Sequence, residues 1–437
     1  MAAIVRPGAT RVRLARHSPL AWFARAAACI AWLAAATPAT AATLHDSSSL
    51  AVDVLVLADA RLALMPDVAA AKWAAGQPIT DAAREAIVIR TAGDRAAALG
   101  LARAPVEALF ELQVGLARDV QAELHARWRR DGAGPPGPAA SLALELRPRI
   151  DQLTDDFLAA LYLASPTLAT TDLGPLAARY LPASRWTDAD RARFAGALAA
   201  VRLEAPRSPQ RARTAGVLRI GTPADYAPFA LARDARVDGS DVALAEALAA
   251  TLGLRAVFVQ TRWGALLDDL EADRFDVGVG GVSVTAARRA RAEFSLPTAH
   301  GGKTAIGRCA DRATLGSFDD IDRDGVRVVE NLGGTNEAFA RGRLHHAALL
   351  IHPDNRTVMD ELLAGRADVM FTDDTEVALV TQHVPRLCRL LAELYDPADK
   401  AFLLPHDGRW TVLVDDWLRG AVADGIPAAL LQRYLAD

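Results

Sequence analysis

The chain holds little that would tie it to nucleic acid, to a nucleotide cofactor or to a metal. Its 53 acidic residues outnumber its 49 lysines and arginines, and no basic tail or patch stands out, which argues against a polyanionic partner. No Gly-x-Gly-x-x-Gly opens a helix after a strand, so the glycines do not follow a dinucleotide pattern. The nine histidines form no ligand cluster, and His345-His346 has neither cysteine nor carboxylate at metal spacing. No cofactor and no metal are therefore expected. Cysteine is scarce, at three residues.

Long apolar runs are missing too, apart from one near the start. Arg6, Arg11, Arg13 and Arg16 form a basic segment without an acidic residue, followed by the apolar stretch 26–36 (AAACIAWLAAA) and the small-residue site Ala39-Thr40-Ala41. This is the layout of a secretory signal over residues 1–41. A membrane anchor is the alternative, but the run is too short for about 30 Å of hydrocarbon. Cleavage after Ala41 removes five arginines, taking the formal charge from −4 to −9, and also removes Cys29. The mature chain is then expected to be soluble and periplasmic or secreted. Its remaining pair, Cys309 and Cys388, reads as one disulfide in an oxidising compartment, or else as two buried thiols.

Two hydrophobic rhythms divide the rest of the chain. From about Ser47 to Leu203 the pattern is helical, with Ala/Leu-rich segments, charges at helical spacing and almost no β-branched runs. Breaks fall at Gly76-Gln77-Pro78, at 100–105, at 131–138 and around Pro166. Pro105 reads as a first-turn proline of a helix running to about Arg130. From Gly216 onward short strand-like runs (217–221, 255–260, 277–280, 327–329, 348–352, 369–372) alternate with helical stretches, which indicates an α/β domain. The expected organisation is a signal at 1–41, an all-α domain at 42–203, a polar linker at 204–215 and an α/β domain at 216–437.

In the helical part, Arg61 and Lys72 lie eleven positions apart, which returns to within about 20° of the same helical direction. After the break, Asp81, Arg84 and Glu85 share one face. Gln121 sits in the middle of the long helix, and Arg147 stands beside Pro148 at the start of the next. Cations on one helical face are usually a solvated surface. Together, however, these positions resemble the helical chorismate mutase family: an Arg, a Lys eleven on, then Asp, Arg and Glu nine, twelve and thirteen past the Lys, and Gln121 forty-nine past it. LRPRIDQL supplies Arg147, matching the arginine that exported members take from their own chain. The resemblance covers about 47–200; Ala117 departs from it, replacing a small hydroxyl residue often found there. It implies a rearrangement of chorismate to prephenate needing no nucleophile or proton transfer, only a held conformer and stabilised charge on the ether oxygen. Arg61 and Arg147 would hold the carboxylates with Arg84 oriented toward them. Lys72 and Gln121 would donate to the ether oxygen, Glu85 would accept from the ring hydroxyl, and Asp81 would orient the helix start. The resemblance also implies a homodimer through this half.

The α/β part opens VLRIGTPADYAPF and continues through DGSDVALAEALAATLG to Ser283-x-Thr285-x-x-Arg288. This order resembles the two-lobed extracellular solute-binding fold, in which such a Ser, Thr and Arg grip a ligand carboxylate. A second anion site is expected at Gly333-Gly334-Thr335-Asn336, where a Gly-rich turn leads into a helix. A plain binding or sensing domain is one reading. GKTAI, NLGGTNEAFAR, HPDN, MFTDD and DKAFLLP together resemble instead the cyclohexadienyl dehydratases, a catalytic offshoot covering about 213–435. That resemblance, which the cysteine pair also fits, implies decarboxylative dehydration of prephenate or arogenate. Glu337 would be the general acid, its pKa raised by burial in a closed cleft. Lys303 and Asn336 would position the hydroxyl or a carboxylate, and Tyr226 and Trp263 would wall the ring. Asp373 or Asp374 would meet the amino group of arogenate, and Arg288 the side-chain carboxylate.

The whole chain thus reads as a bifunctional fusion acting on small-molecule substrates, with no nucleic-acid partner and no membrane partner once the signal is removed. Gln121 has a measurable consequence. A Glu there must be protonated to donate, whereas Gln donates at any pH. Mutase activity should therefore not fall between mild acid and pH 8; a steep loss in a chorismate-consumption assay across that range would contradict the role given to Gln121.

Overall fold

The computed structural model describes residues 42–436; the secretory segment expected at 1–41 lies outside the described residues. After strand β1 (Ala42–His45), the helical half is built from α1 (Ser47–Leu62), α2 (Met65–Ala74), α3 (Ala82–Ala98), α4 (Arg103–Asp131), α5 (Arg147–Ala164), α6 (Leu173–Tyr180) and α7 (Asp188–Ala199). Local chemistry sets the boundaries. Asp46 caps α1 by accepting from the Ser49 N–H at 2.7 Å, and Asp81 caps α3 by accepting from Arg84 N–H at 3.0 Å, each satisfying a first-turn donor. Pro105 falls in the first turn of α4, and Gly132, at φ +64°, ends it in the left-handed conformation that glycine adopts without a Cβ clash. Helices α1, α4 and α5 meet over a common apolar core that includes Leu55, Phe110 and Phe157, with the two phenylalanine rings edge to face at 5.8 Å.

The α/β half runs α8 (Pro209–Ala215), β2 (Val217–Thr222), β3 (Asp225–Tyr226), β4 (Ala230–Arg233), β5 (Arg236–Asp238), α9 (Ser240–Thr251), β6 (Arg255–Gln260), α10 (Leu266–Glu271), β7 (Val277–Gly278), α11 (Ala286–Arg289) and β8 (Glu293–Arg308). It continues with α12 (Phe318–Ile321), β9 (Arg327–Asn331), α13 (Thr335–Arg343), β10 (Ala348–His352), α14 (Val358–Leu363), β11 (Val369–Asp373), α15 (Asp374–His383), β12 (Leu387–Arg389), β13 (Tyr395–Leu404), α16 (Gly408–Ala423) and α17 (Ile426–Ala436). The strands expected from the alternating pattern are present. Two long ones were not legible, β8 and β13, whose antiparallel pairing carries register shifts around 395–398 and 400–403. They join a first lobe (β13-β7-β2-β6-β1-β5-β4-β3) to a second (β10-β9-β11-β8, with β12 on β8). Each lobe has its own apolar clusters.

The junction between the halves differs from a polar linker. Half of the segment 204–215 is helix α8, and Arg211 and Ala212 are buried. Arg211 and the fully buried Arg219 both bond Asp273, at 2.6 Å each, and both lie over the ring of Tyr162 on α5, at 5.7 and 5.0 Å. Arg219 also pairs with Asp276 at 2.7 Å. The segment looks polar because its arginines carry this buried network. Strand β1, which precedes the helical half, inserts between β6, to which it runs parallel, and β5, to which it runs antiparallel.

Cys309, at the end of β8, and Cys388, on β12, form a disulfide with Cα atoms 4.9 Å apart and 79 residues between them in sequence. Closing a loop of that length in the unfolded chain is the source of its stabilisation. Cys388→Ser should lower the unfolding free energy of the α/β half by about 2–4 kcal/mol, read as a lower urea midpoint; an unchanged midpoint would contradict this.

Candidate active sites

Two groups of residues answer the expectations, one in each half. In the helical half Lys72, near the end of α2, donates to the Ile79 carbonyl at 2.6 Å. Its pKa is lowered by burial, opposed by the charges of Glu85 and Asp81 and reinforced by that of Arg147. These four residues, from three helices and a cap, therefore share one electrostatic environment. Glu85 is fixed twice: it accepts from the Asp81 N–H at 3.3 Å and faces Arg118 of α4 at 3.5 Å. Arg84 and Arg147 are exposed. Gln121 is buried, with its Nε2 donating to the Ala117 carbonyl at 2.9 Å and near the Met65 sulfur at 3.7 Å. Its Oε1 is buried without a protein partner, the condition in which a polar ligand atom is most favoured. The bond to the Ala117 carbonyl fixes which end is the N–H, so for Gln121 to donate to a ligand its amide must turn away from that carbonyl.

Arg61 does not join that group through its hydrogen bonds. It donates to Gln113 Oε1 at 2.7 Å, to the Thr154 hydroxyl and to the Ile150 carbonyl at 3.4 Å. Its guanidinium lies 4.9 Å from the Phe110 ring centroid, and burial pulls its pKa down to about 10. In this structure it clamps α1 to α4 and α5.

In the α/β half a narrow cavity of about 20 Å³ lies between the lobes, lined in part by Tyr226, Trp263, Ser283, Arg288, Asp373 and Lys400, room for little more than one water. The lobes are closed on each other. The Tyr226 hydroxyl donates to Asp373 Oδ2 at 2.6 Å, Asn355 Nδ2 donates to the Asp225 carbonyl at 2.9 Å, and a Cβ on Gly333 would meet Gly264 N at 2.9 Å. Arg288, pulled down to about 10 by burial, donates to the Ser283 carbonyl at 2.9 Å and lies 5.7 Å from the Trp263 ring. Thr285 accepts from the Arg288 N–H at 3.2 Å as the cap of α11. Lys303 reaches Asp373 Oδ1 at 2.9 Å, the Thr335 hydroxyl at 3.0 Å and Asn336 Oδ1.

The surroundings of Glu337 differ from those expected of a buried general acid. Its carboxylate accepts from the Gly333 N–H at 2.6 Å and pairs with Arg341 at 2.8 Å. Those bonds lower its pKa, the first of them most. An acid held ionised at the start of its own helix is a poor proton donor. Asp373 is not free to meet an amino group either, and Asp374 accepts instead from the Gly302 N–H at 3.2 Å.

Two buried charged residues at the cleft were not singled out in the sequence. Lys400, on β13, is 1% exposed and joins Asp373 Oδ2 and the Ser283 hydroxyl, the latter at 2.8 Å. Glu376, in the first turn of α15, is buried, and burial pushes its pKa up to about 7 against the opposing hydrogen bond from Thr372. The Thr372 hydroxyl donates to Glu376 while accepting from Asn336 Nδ2 at 3.2 Å, so the acid stands one hydrogen bond behind the cleft wall. Asp225 is also raised, to about 6, chiefly by burial, but its carboxylate already holds the Trp263 indole N–H at 2.8 Å. One compositional signal was available. Only three of the 49 basic residues are lysines, Lys72, Lys303 and Lys400, and all three lie in these two sites. A separate groove along α4 and α7, lined by Glu111, Asp119 and Arg193 among others, contains none of the expected residues.

Residues 218–437 match the family described as bacterial extracellular solute-binding proteins, family 3, and residues 52–122 match chorismate mutase type II. Over 241 residues the chain is 39% identical to the cyclohexadienyl dehydratase of Pseudomonas aeruginosa, covering 54% of this chain and 90% of that protein. It is 28% identical over 159 residues to an L-cystine-binding protein of Escherichia coli, covering 36% of this chain and 59% of that one. Among solved structures, an ancestral amino acid-binding protein described as a precursor of cyclohexadienyl dehydratase is 29% identical, with a TM-score of 0.48, over 50% of this chain and 96% of that one.

Glu376 makes stability depend on pH with a defined sign. Its carboxyl keeps a proton to about pH 7 when folded, against an ordinary value of 4.5. The folded state therefore binds the extra proton, and stability falls as pH rises through this window, by on the order of 3 kcal/mol. Glu376→Gln should flatten that slope, giving a variant more stable than the parent at pH 8. Urea titrations at pH 5 and pH 8 check this; equal slopes in both proteins would contradict it.

Proposed function

On the premise that this chain belongs to family 3 of the bacterial extracellular solute-binding proteins and carries a type II chorismate mutase domain, we propose that it is an exported bifunctional enzyme. It converts chorismate to prephenate and then prephenate or arogenate to phenylpyruvate or phenylalanine. The observation that carries this reading is the placement of all three lysines in two sites that differ in one respect. The helical site offers donors and cations for a held conformer, whereas Glu376, at about 7, stands one hydrogen bond behind the wall of the cleft.

That difference matches the two chemistries. In the helical site the ether C–O bond breaks as a new C–C bond forms, with no proton moved. Lys72 and Gln121 stabilise charge developing on the ether oxygen. Arg84 and Arg147 draw in the two carboxylates, Glu85 accepts from the ring hydroxyl, and Asp81 orients the first turn of α3. Arg61 supports this site by holding α1, α4 and α5 in place.

In the cleft Glu376 gives its proton to the departing ring hydroxyl, which leaves as water. The electrons of the bond to the ring carboxylate complete the aromatic ring, and carbon dioxide departs. A pKa near neutrality suits a donor working at neutral pH, and solvent restores the proton afterwards. Arg288, Lys303 and Lys400 hold the side-chain carboxylate and its neighbouring oxygen, leaving the ring carboxylate unclamped. Ser283, Thr335 and Asn336 orient the ligand or its cations, while Tyr226 and Trp263 wall the ring. Export to the periplasm and a homodimer through the helical half complete the proposal. The identity to amino acid-binding proteins favours one alternative, a mutase joined to a non-catalytic binding domain.

Fed chorismate, the purified chain should accumulate phenylpyruvate, followed by its ultraviolet absorbance. Lys72→Ala should slow chorismate consumption at least about a hundredfold while prephenate supplied directly is still consumed. Glu376→Gln should slow prephenate consumption at least about a hundredfold with the mutase intact, and Glu337→Gln should keep most of both activities. Accumulation of prephenate by the unmodified chain would favour the alternative, and failure to consume chorismate would remove the mutase assignment.

A further inference from the structure

We infer that His125 is a positioning residue for the helical site: it fixes the last turn of α2 against α4, and so sets where the Lys72 ammonium stands relative to Gln121. This rests on the mutase reading and deepens it.

Helix α2 is ten residues long and is separated from α1 by the turn at 63–64, so α1 does not fix its direction. Its placement comes from α4, along a seam of matched positions. Met65 stands against Gln121, with its sulfur 3.7 Å from Gln121 Nε2. Ala69 meets His125, and Trp73 meets both His125 and Trp128, edge to face at 5.1 and 5.5 Å. Steps of four residues on α2 therefore face steps of four and three on α4, so a ridge of one helix lies along a ridge of the other. Contacts through the methionine sulfur and the indole rings are weakly directional and tolerate a slide of one helix along the other.

The bond that does not tolerate a slide is made by His125. Its Nε2 donates to the Ala69 carbonyl at 2.8 Å, from a ring that is 5% exposed. It grips the α2 backbone three residues before Lys72, while on α4 His125 lies one turn past Gln121. A single side chain thus ties together the two helices that carry the donors proposed for the ether oxygen. A carbonyl only accepts, so Nε2 carries the proton, and it does so in the neutral ring and in the imidazolium alike. The tie therefore holds across the pH range over which Gln121 donates. Filling the space between two tryptophans needs no donor; the bond to the α2 backbone is what packing alone would not require.

The test measures chorismate consumption by the purified full chain, with prephenate consumption by the same preparation as the control for folding. His125→Leu should lower kcat for chorismate on the order of tenfold, as expected when a donor to the transition state shifts by part of an ångström. KM should stay within about twofold of the parent, since the interaction lost belongs to the transition state. His125→Gln, whose amide N–H can reach the same carbonyl, should keep most of the activity, and the shorter His125→Asn should not. In a Lys72→Ala background His125→Leu should change kcat by less than about twofold, because the group it positions is gone. An equal loss in both backgrounds would make His125 a general support of the helical half and overturn the inference. So would a parental kcat in His125→Leu, or His125→Gln no better than His125→Asn. If His125→Leu does not fold, the Gln and Asn pair decides. An unmodified chain that leaves chorismate untouched removes the mutase reading itself, and this inference with it.

Discussion

A carboxylate, two ammonium groups and a phenol meet at Asp373, and they come from four different strands. Tyr226 arrives on β3 of the first lobe, Lys303 and Lys400 on the paired strands β8 and β13 that join the lobes, and Asp373 at the end of β11 in the second. Each charge alone would be costly to bury, by several kcal/mol even after relaxation. The group is therefore tolerable only as a set, and the set forms only when the lobes are closed. Its lysines and Arg288 outnumber the single carboxylate they surround. Lys400 and Lys303 hold Asp373 ionised against its burial, while burial pushes Glu376, which has a hydroxyl rather than a lysine as its hydrogen-bond partner, up to about 7. One cluster thus supplies closure and a surplus of positive charge, beside a carboxyl that keeps its proton.

The helical half is attached in a way that a tether would not be. Arg211 and Arg219 lie over Tyr162 while bonding Asp273, and Val217 and Val257 of the α/β half belong to the apolar cluster of the helices. Strand β1 then passes back into the sheet of the first lobe. The helical half is in effect inserted between the first strand and the rest of the α/β half. Chemical independence of the two sites is compatible with this, because neither borrows a side chain from the other. Folding independence is a different matter, since cutting between the halves would expose a buried ion network and remove a sheet strand.

Legibility differed between the sites for a physical reason. Helical spacing is a property of the backbone, so Asp81, Arg84 and Glu85 could be put on one face from their numbers, whereas only the family resemblance grouped them with Lys72 and Gln121 on other helices. Arg61 shows the limit: the turn at 63–64 puts it on a different helix from Lys72, so their eleven-residue spacing does not fix a common face, and its partners Gln113 and Thr154 come from other helices. In the cleft, Glu337 drew attention because it follows a Gly-Thr turn. That same position lets its carboxylate satisfy the Gly333 N–H, which keeps it ionised. Glu376 carries no local mark, and its burial is made by strands remote in sequence. Lys400 was visible only as one of three lysines in an arginine-rich chain.

By itself the sequence determined much of what local physics determines: the helical regime of the first half, the short strands of the second, that the two halves belong to different fold classes, and which neighbouring charges share a helical face. The tertiary structure alone decided which carboxyl is buried enough to keep a proton, which carboxylate is neutralised by lysines, and how the halves are joined. Those properties are set by desolvation and by contacts between residues up to about 150 positions apart, as in Tyr226 and Asp373, and no short-range pattern carries them.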